Sequence, residues 1–176
     1  MIFQEPETAL NPVMRVGHQV AEVLGAHTKR SDRACRKETE AIFEQVQLSP
    51  PRVYSAYPHE LSGGERQRVV IAQALVCKPA FLIADEPTSA LDNTIQAEII
   101  SVLKQMKERL KLALLFITHN PLLLDEFADP IFVMRAGRII EEGNAAQILR
   151  QPHDPYTQEL MQSIPRLPAR HVHAGA

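Results

Sequence analysis

The chain has 176 residues, enough for one domain with a sizeable core, and its 45% hydrophobic and 23% charged residues are typical of globular proteins. Its formal net charge of −2 does not indicate a general nucleic-acid-binding protein. Cys35 and Cys77 stand far apart without a metal-binding pattern, so reduced thiols are the simplest interpretation. The sequence shows no signal-peptide pattern and no run of 18 apolar residues, which predicts a cytoplasmic protein that meets a membrane only through a partner.

The chain opens on what reads as the end of a β-strand, followed by a mainly helical stretch. Residues 1–3 are apolar, and Gln4 stands at the polar end of this predicted strand. Asn11 and Pro12 together predict a helix start, because Asn is a favourable cap and Pro suits the first helical position. Apolar residues then recur at helical spacing, as expected of a packed helix.

A second helix is predicted to begin after Ser31, whose side chain can cap it. The charges between residues 33 and 44 indicate a solvated outer face. Pro50 and Pro51 are predicted to end this helix. Residues 5 to about 78 therefore read as mainly helical.

A Gly-Gly turn opens the next predicted helix. Ser62 can accept a hydrogen bond from a backbone N–H two or three residues on, and Glu65 suits the positive end of the helix dipole. Gly63 and Gly64 have no Cβ, so their backbone can approach a ligand closely, and the free N–H groups of a helix N-terminus suit phosphate. Taken alone, this segment would more often be an ordinary capped helix.

A short apolar run at residues 81–84 predicts a parallel strand buried on both faces. Asp85 and Glu86 follow it, and ligands of open α/β sheets sit beyond the carboxyl ends of the strands. Because successive side chains point in opposite directions, one carboxylate can hold Mg²⁺, directly or through water, while the other polarises an attacking water. A lone Asp-Glu pair would more often be a solvated strand end.

The pattern then continues as helix and strand. Residues 93–111 predict a long helix with one apolar side, and residues 112–117 predict the next buried strand. His119 stands at the end of that strand, where a capping histidine and a functional one are equal alternatives on position alone. Further along, the predicted elements are a hairpin over residues 131–142 and helices that start at Asn144 and Asp154.

Together these motifs resemble the ATP-binding-cassette (ABC) family of ATPases. LSGGERQ at residues 61–67 is similar to the family's signature motif, FLIADE at 81–86 to its Walker B strand, and SALD at 89–92 to its D-loop. MIFQEP at the start resembles the Q-loop region of oligopeptide and dipeptide importers. YPHELSGG and the tail HDPYT…SIP resemble the peptide and nickel importers of the same family.

The resemblance implies a role for each of these residues. Glu86 would polarise the attacking water, and His119, as the H-loop histidine, would contact the γ-phosphate. Asp85 and Gln4 would act on Mg²⁺, and Gln4 would also reach the attacking water. The signature residues expected to meet the ATP of a partner domain are Leu61, Ser62, Gly63, Gly64, Glu65 and Gln67. The expected D-loop residues are Ser89, Ala90, Leu91 and Asp92.

The resemblance also implies the fold class, which is α/β. We expect a partial ABC-type nucleotide-binding domain, with a parallel sheet like that of the P-loop NTPases, helices on both faces, and a helical subdomain. Residues 1–176 are expected to form this single partial domain. Within it, the resemblance implies a helical signature subdomain at about 5–78, an α/β core with a hairpin at 79–143, and a peptide-importer-type tail at 144–176.

The sequence departs from the family pattern in two places. The P-loop, G-x-x-x-x-G-K-[ST], is absent because no Lys in the chain follows a Gly. We therefore expect that the N-terminal strands and the P-loop are missing through truncation or an internal start, and that the isolated chain binds nucleotide weakly or not at all. Asn120 stands where the family often has Asp, with little expected effect because Asn also caps a helix well.

The function implied by the resemblance is that of a subunit which binds and hydrolyses ATP and couples this to transport, most simply in an oligopeptide or dipeptide importer. ATP and Mg²⁺ are the expected cofactors. No iron–sulfur cluster is expected, because no cysteine follows Cys77. The expected partners are a second ABC ATPase subunit, identical or different, the transmembrane permease subunits through the Q-loop and helical subdomain, and indirectly an extracytoplasmic solute-binding protein, but no nucleic acid. The expected location is the inner face of the cell membrane.

Two alternatives stay open at this point. The chain could be a non-catalytic ABC module that supplies only its signature motif to a partner ATPase. It could also be a soluble ABC protein of DNA repair or translation, although the long coiled-coil insertions or tandem cassettes usual there are not found. The cargo stays open among oligopeptides, dipeptides, nickel and glutathione, because the membrane and binding-protein partners select it.

Overall fold

The computed structural model describes residues 1–3, 6–124 and 130–163 of the chain. The chain divides into two compact units, Met1–His119 and Asn120–Ala176. None of the helices in the described ranges is both long and apolar enough to cross a bilayer. The subdivision expected from the sequence, with boundaries near 78 and 143, stays a prediction.

The first unit combines helices with a small parallel sheet. Its helices are α1 (Pro6–Ala9), α2 (Val16–His27), α3 (Asp32–Gln45), α4 (Pro50–Ser55), α5 (Gly63–Leu75) and α6 (Asn93–Leu110), and a 3₁₀ turn at Pro58–Glu60 leads into α5. Its strands are β1 (Phe81–Asp85) and β2 (Ala113–Ile117). The two strands pair in parallel, with Asp85 opposite Ile117, and Ile2 adds a parallel bridge to Ala84.

The helix predicted to start at Asn11 begins instead at Val16. Asn11 forms a turn in which its side-chain oxygen accepts from the Val13 N–H at 3.1 Å. The buried Gln19 side chain donates to the carbonyls of Asn11 at 2.9 Å and Met14 at 2.7 Å, which holds this turn outside the helix. A side chain eight residues away thus overrides the local helix-start signal.

The predicted cap of α3 is confirmed, but its predicted end is wrong. The Ser31 hydroxyl accepts from the Ala34 N–H at 3.4 Å. The helix ends at Gln45, and Pro50 and Pro51 begin α4 instead of ending α3. Proline suits the first turn of a helix because its missing N–H needs no partner there.

One hydrophobic core joins the helices of the first unit to the inner face of its sheet. Helix α5 lies at its centre and buries Val69, Ile71 and Leu75 completely. The long helix predicted at residues 93–111 is confirmed as α6, which buries Ile99, Val102, Leu103 and Met106 on its apolar side. Complete burial of such a side chain contributes about 1.5–3 kcal/mol, so this core is what positions the polar residues at the strand ends.

The sheet of the first unit is buried on one face. Leu82 and Ala84 of β1 point into the core and are almost fully buried. On the other face Phe81 is 53% exposed, and Leu115 and Ile117 of β2 are each 43% exposed. The prediction that β1 is buried on both faces therefore holds for one face only, because alternate side chains of a strand point away from the core. The prediction that β2 is a buried strand is wrong for its outward-facing residues, which are exposed.

The second unit contains a hairpin and short helices. Its elements are a 3₁₀ turn at Pro121–Leu124, strands β3 (Ile131–Arg135) and β4 (Arg138–Gly143), and helices α7 (Ala145–Arg150) and α8 (Pro155–Ser163). The predicted hairpin is confirmed as an antiparallel pair whose turn residues, Ala136 and Gly137, have φ values of 48° and 76°. Positive φ at both central positions is typical of a type I′ turn, which matches the twist of the strands.

Both helix starts predicted in the second unit are confirmed. Asn144 accepts from the Gln147 N–H at 2.9 Å at the start of α7. Asp154 accepts from the Tyr156 N–H at 2.8 Å at the start of α8. Glu141 of β4 also accepts from the backbone N–H groups of residues 153 and 154, at 2.7 and 3.2 Å, which fastens the segment before α8 to the hairpin.

Candidate functional site

A reciprocal capping box holds the start of α5. The Ser62 hydroxyl accepts from the Glu65 N–H at 3.3 Å, and the Glu65 carboxylate accepts from the Ser62 N–H at 3.0 Å. The cap that the sequence predicts is therefore confirmed, and Glu65 is a partner in it. Arg52 of α4 pairs with the same carboxylate, a contact that nothing in the local sequence indicates.

The environment of Glu65 keeps its carboxylate ionised. Burial alone would raise the pKa of Glu65, but the hydrogen bond from the Ser62 backbone and the nearby charge and hydrogen bond of Arg52 outweigh it. The pKa of Glu65 is therefore lowered from its ordinary value. The capping box thus stays intact at neutral pH.

Three of the predicted nucleotide-binding residues are buried: Leu61, Gly64 and Gln67. Leu61 is 5% exposed and Gln67 is 1% exposed, whereas Ser62 is exposed beside them. The Gln67 Nε2 has no hydrogen-bond partner among the described residues. The signature loop thus presents Ser62 and its neighbouring backbone at the surface and rests on Leu61 and Gln67, whose predicted contact with nucleotide stays a prediction.

The strand ends bring Glu86 and His119 together. The Glu86 N–H donates to the Ile117 carbonyl at 3.0 Å, which continues the parallel pairing one residue past β1. One carboxylate oxygen of Glu86, Oε1, accepts from the His119 backbone N–H at 2.7 Å and also lies 2.7 Å from His119 Nδ1. The Glu86 side chain is 17% exposed and that of His119 is 75% exposed, so a shielded carboxylate meets an imidazole open to a ligand.

Asp85 occupies the last position of β1, beside this pair. Its N–H donates to the Ile2 carbonyl at 3.0 Å, and its carboxylate has no hydrogen-bond or ion-pair partner in the described ranges. Mg²⁺ in ATP sites is usually bound by one or two carboxylates together with water and phosphate oxygens, so Asp85 fits such an ion. Gln4, the second predicted Mg²⁺ residue, lies outside the described residues, within which no group of three or more metal-binding side chains occurs.

The loop after Glu86 is ordered by its own hydrogen bonds. Glu86 has a φ of 48°, and the Ser89 hydroxyl donates to the Glu86 carbonyl at 3.2 Å. Asp92 caps α6 by accepting from the N–H groups of residues 94 and 95, each at 3.0 Å. Ser89 and Ala90 are exposed at the loop tip, and Leu91 is half-buried.

Sequence reasoning missed three contacts that hold this region together. The buried Thr88 hydroxyl accepts from Gln96 Nε2 at 2.9 Å, which ties the residue just before the D-loop to α6. Arg68 of α5 pairs with Glu98 of α6 at 2.6 Å and donates to the Gln47 carbonyl at 3.2 Å. All three contacts join residues that are eight or more positions apart, so no local pattern could have indicated them.

The fold and the site define an α/β domain with a carboxylate and a histidine at the carboxyl ends of neighbouring parallel strands. The family model of the ABC transporter matches residues 1–89, half of the chain. The model of the C-terminal region of oligopeptide/dipeptide transporters matches residues 140–174. The chain therefore belongs to the ABC transporter family, and its C-terminal part is of the oligopeptide/dipeptide type.

Curated relatives place the chain near importer ATPases. The glutathione import ATP-binding protein GsiA of Salmonella choleraesuis (strain SC-B67) is 45% identical over 175 residues, covering 99% of this chain and 28% of the relative. GsiA of Escherichia coli (strain K12) is 46% identical over 170 residues, covering 96% of this chain and 27% of the relative. The chain thus spans little more than a quarter of the length of these relatives.

Solved structures confirm the fold class. The protein cbiO1 from Clostridium perfringens, part of the ABC transporter complex cbiONQ, is 30% identical with a TM-score of 0.74, covering 85% of this chain and 58% of that one. The ATP-binding cassette MJ0796, in a dimeric post-hydrolysis state bound to ADP and Pi, is 28% identical with a TM-score of 0.70. That match covers 82% of this chain and 61% of the cassette.

Proposed function

We propose that the chain is part of an ATP-binding and ATP-hydrolysing subunit of an ABC importer for peptides, with oligopeptides, dipeptides and glutathione as the cargo class. The observation that carries the proposal is the contact between Glu86 and His119 at the carboxyl ends of β1 and β2. The oligopeptide/dipeptide C-terminal match and the glutathione importer relatives support the cargo class. Cargo selection itself would belong to the membrane and binding-protein partners.

Glu86 is proposed as the residue that orients and polarises the attacking water. Its Oε1 is held by His119, whereas Oε2 has no partner among the described residues and can accept a hydrogen bond from water. The His119 ring, exposed beside it, is placed to donate to a γ-phosphate oxygen. Mg²⁺ bound with ATP would neutralise phosphate charge, with Asp85 as its proposed ligand.

The nucleotide is proposed to lie between two domains. The sequence of this chain contains no P-loop, so its own residues do not supply a phosphate cradle beside Glu86. At the start of α5, Ser62 is exposed, Gly63 is half-exposed and Gly64 is buried. Ser62 and the N–H groups of the two glycines would face the ATP of a second ABC subunit. Permease subunits would bind the helical part of the first unit, which holds the protein at the inner face of the membrane.

The test begins with the gene. We would read the genomic frame upstream of the Met1 codon, express the complete gene product, and measure its ATP hydrolysis. An in-frame P-loop should give an ATPase in which Glu86→Gln lowers kcat at least about 100-fold with little change in ATP binding. Glu108→Gln, on the exposed side of α6, is the matched control and should leave kcat unchanged.

The same experiment decides between the proposal and a signature-only module. If the upstream frame holds a stop codon and no P-loop, the next step is to mix this chain with an intact ABC ATPase subunit and measure ATP hydrolysis. Hydrolysis that then depends on Ser62 of this chain but survives Glu86→Gln would support the non-catalytic module. ATP bound stoichiometrically at micromolar affinity by the isolated chain would contradict the need for a P-loop from elsewhere.

A further inference from the structure

The first turn of α5 and the first turn of α6 approach each other at Gly64. A Cβ added to Gly64 would lie 2.7 Å from Cγ2 of Ile95, a distance that real Cβ atoms do not reach. The Ile95 methyl is attached directly to its Cβ, so it cannot swing aside as the end of a long side chain can. The φ of Gly64 is not positive, so its backbone conformation does not demand glycine. The requirement for glycine at this position therefore comes from the side chain of Ile95.

Ile95 is in turn fixed by the D-loop. The Asp92 carboxylate accepts from the Ile95 N–H at 3.0 Å, so this cap sets the position of the first turn of α6. Leu91 of the same loop reaches Gly63, where an added Cβ would lie at an ordinary 3.4 Å from Leu91 Cδ2. Leu91 of the D-loop and Ile95 of α6 thus face the two successive glycines of the signature.

The contact continues one turn further along both helices. Arg68, four residues after Gly64, pairs with Glu98, three residues after Ile95. The Arg68 side chain is 13% exposed and that of Glu98 is 48% exposed, so the ion pair is open to solvent on the Glu98 side. The two helices are therefore held in register by an apolar contact at their ends and a polar one behind it.

From this geometry we propose that Ile95 is a positioning residue, which couples the D-loop at residues 89–92 to the backbone of Gly63 and Gly64. The inference rests on the proposed function, in which that backbone meets nucleotide. Ile95 itself touches no nucleotide, and its role is to keep the signature N–H groups where the D-loop sets them. A displacement of about 1 Å in such a group can cost on the order of 100-fold in rate.

A hydrogen-exchange cycle on the complete gene product tests the coupling without nucleotide. Asp92→Ala should speed amide exchange in residues 62–68, although the side-chain hydrogen bonds of Asp92 go to residues 94 and 95. In an Ile95→Ala background, adding Asp92→Ala should produce no further change there. Additive effects of the two substitutions in residues 62–68 would overturn the proposal.

A kinetic comparison tests the consequence. Ile95→Ala should lower kcat for ATP about tenfold with the KM for MgATP within about twofold, because the signature contact acts on the transition state. Ile100→Ala is the matched control: Ile100 is a buried isoleucine of the same helix outside the hydrophobic cluster that Ile95 joins. It should lower the unfolding temperature while leaving kcat unchanged, and equal losses of kcat in both variants would contradict the positioning role.

A pair of substitutions, of which the second should compensate for the first, distinguishes failure of this inference from failure of the proposed function. Gly64→Ala should be strongly impaired, and adding Ile95→Ala should restore part of its kcat by making room for the new methyl. A double variant as poor as the product of the two single effects would overturn the contact's role. A wild-type protein without ATP-dependent activity would instead refute the proposed function, and the exchange cycle alone would then decide the coupling.

Discussion

Gly63 and Gly64 are neighbours in the signature, yet they meet different surroundings. The first has room for a methyl group beside Leu91, and the second has none beside Ile95. The sequence explains both glycines by their freedom to approach a ligand, whereas the structure adds a packing requirement at only one of them. This difference can be measured through stability, without reference to nucleotide.

We expect Gly63→Ala to be neutral or slightly stabilising, because alanine favours the helix and meets only ordinary contacts. We expect Gly64→Ala to cost about 1–3 kcal/mol, as overpacking in a core does. Urea unfolding of the two variants beside the wild-type protein measures the difference. Equal free energies of unfolding for the two variants would refute the packing argument.

Glu65 gives the start of α5 a pH dependence with a definite sign. Because its pKa is lowered in the folded protein, its contribution to stability is present above the ordinary glutamate pKa of about 4.3. The contribution is lost as the pH falls through the lowered value. Glu65→Gln should therefore reduce stability at pH 7 and flatten the acid limb of a stability–pH curve, and urea midpoints across that range check it. An acid limb identical to that of the wild-type protein would exclude this role.

At the scale of elements, the sequence predicts the helices, strands and turns that are determined by residues close together in the chain. The hairpin turn at residues 136 and 137, the cap at Asn144 and the strand–helix–strand order around Asp85 and Glu86 all follow from neighbours in the chain. The wrong prediction of a helix start at Asn11 is caused by a contact with a residue further along the chain. Gln19 holds the turn at Asn11 out of α2, and no pattern near residue 11 contains that information.

In the candidate site, too, contacts set by strand pairing could be predicted and contacts set by helix packing could not. Glu86 and His119 are 33 residues apart, and their contact follows from parallel pairing of two strands that the sequence does predict. The contacts of Ile95 and Arg68 across α5 and α6 depend on how two helices pack, which apolar periodicity does not specify. Sequence patterns thus locate the polar residues at the strand ends. The side chains that hold these residues in place are identified only by the structure.

Glu141 shows how one side chain can join two elements. It accepts from two backbone N–H groups before α8, and although burial would raise its pKa, the hydrogen bond from the His153 backbone and its other partners lower it. Glu141→Ala should therefore speed amide exchange at residues 153–158 while leaving α7 unchanged. Amide exchange of both segments, measured by mass spectrometry, checks this prediction. Unchanged exchange at residues 153–158 would show that contacts other than those of Glu141 hold this segment.

At the scale of the whole chain, one sheet face of the first unit is an exposed apolar surface. Phe81, Leu115 and Ile117 together present an apolar face, and parallel sheets in proteins are normally covered on both sides. The isolated 176-residue chain should therefore self-associate and bind a hydrophobic dye.

The double variant Leu115→Ser and Ile117→Ser should lower that association, as measured by sedimentation velocity over a concentration series. Val102→Ser, inside the core, is the control: it should unfold the chain and increase association instead. A wild-type chain that stays monomeric at every concentration and binds no dye would refute the prediction.

The hydrogen bonds of Glu86 also make its two oxygens inequivalent. A backbone N–H is an obligatory donor, so the atom that faces His119 must be an acceptor. In a Glu86→Gln variant the amide oxygen would take that position, and the NH₂ group would then occupy the place of the free carboxylate oxygen. The substitution therefore does more than remove a charge: it turns an acceptor of the water's proton into a donor, so that any water bound there would be oriented with its lone pair toward residue 86.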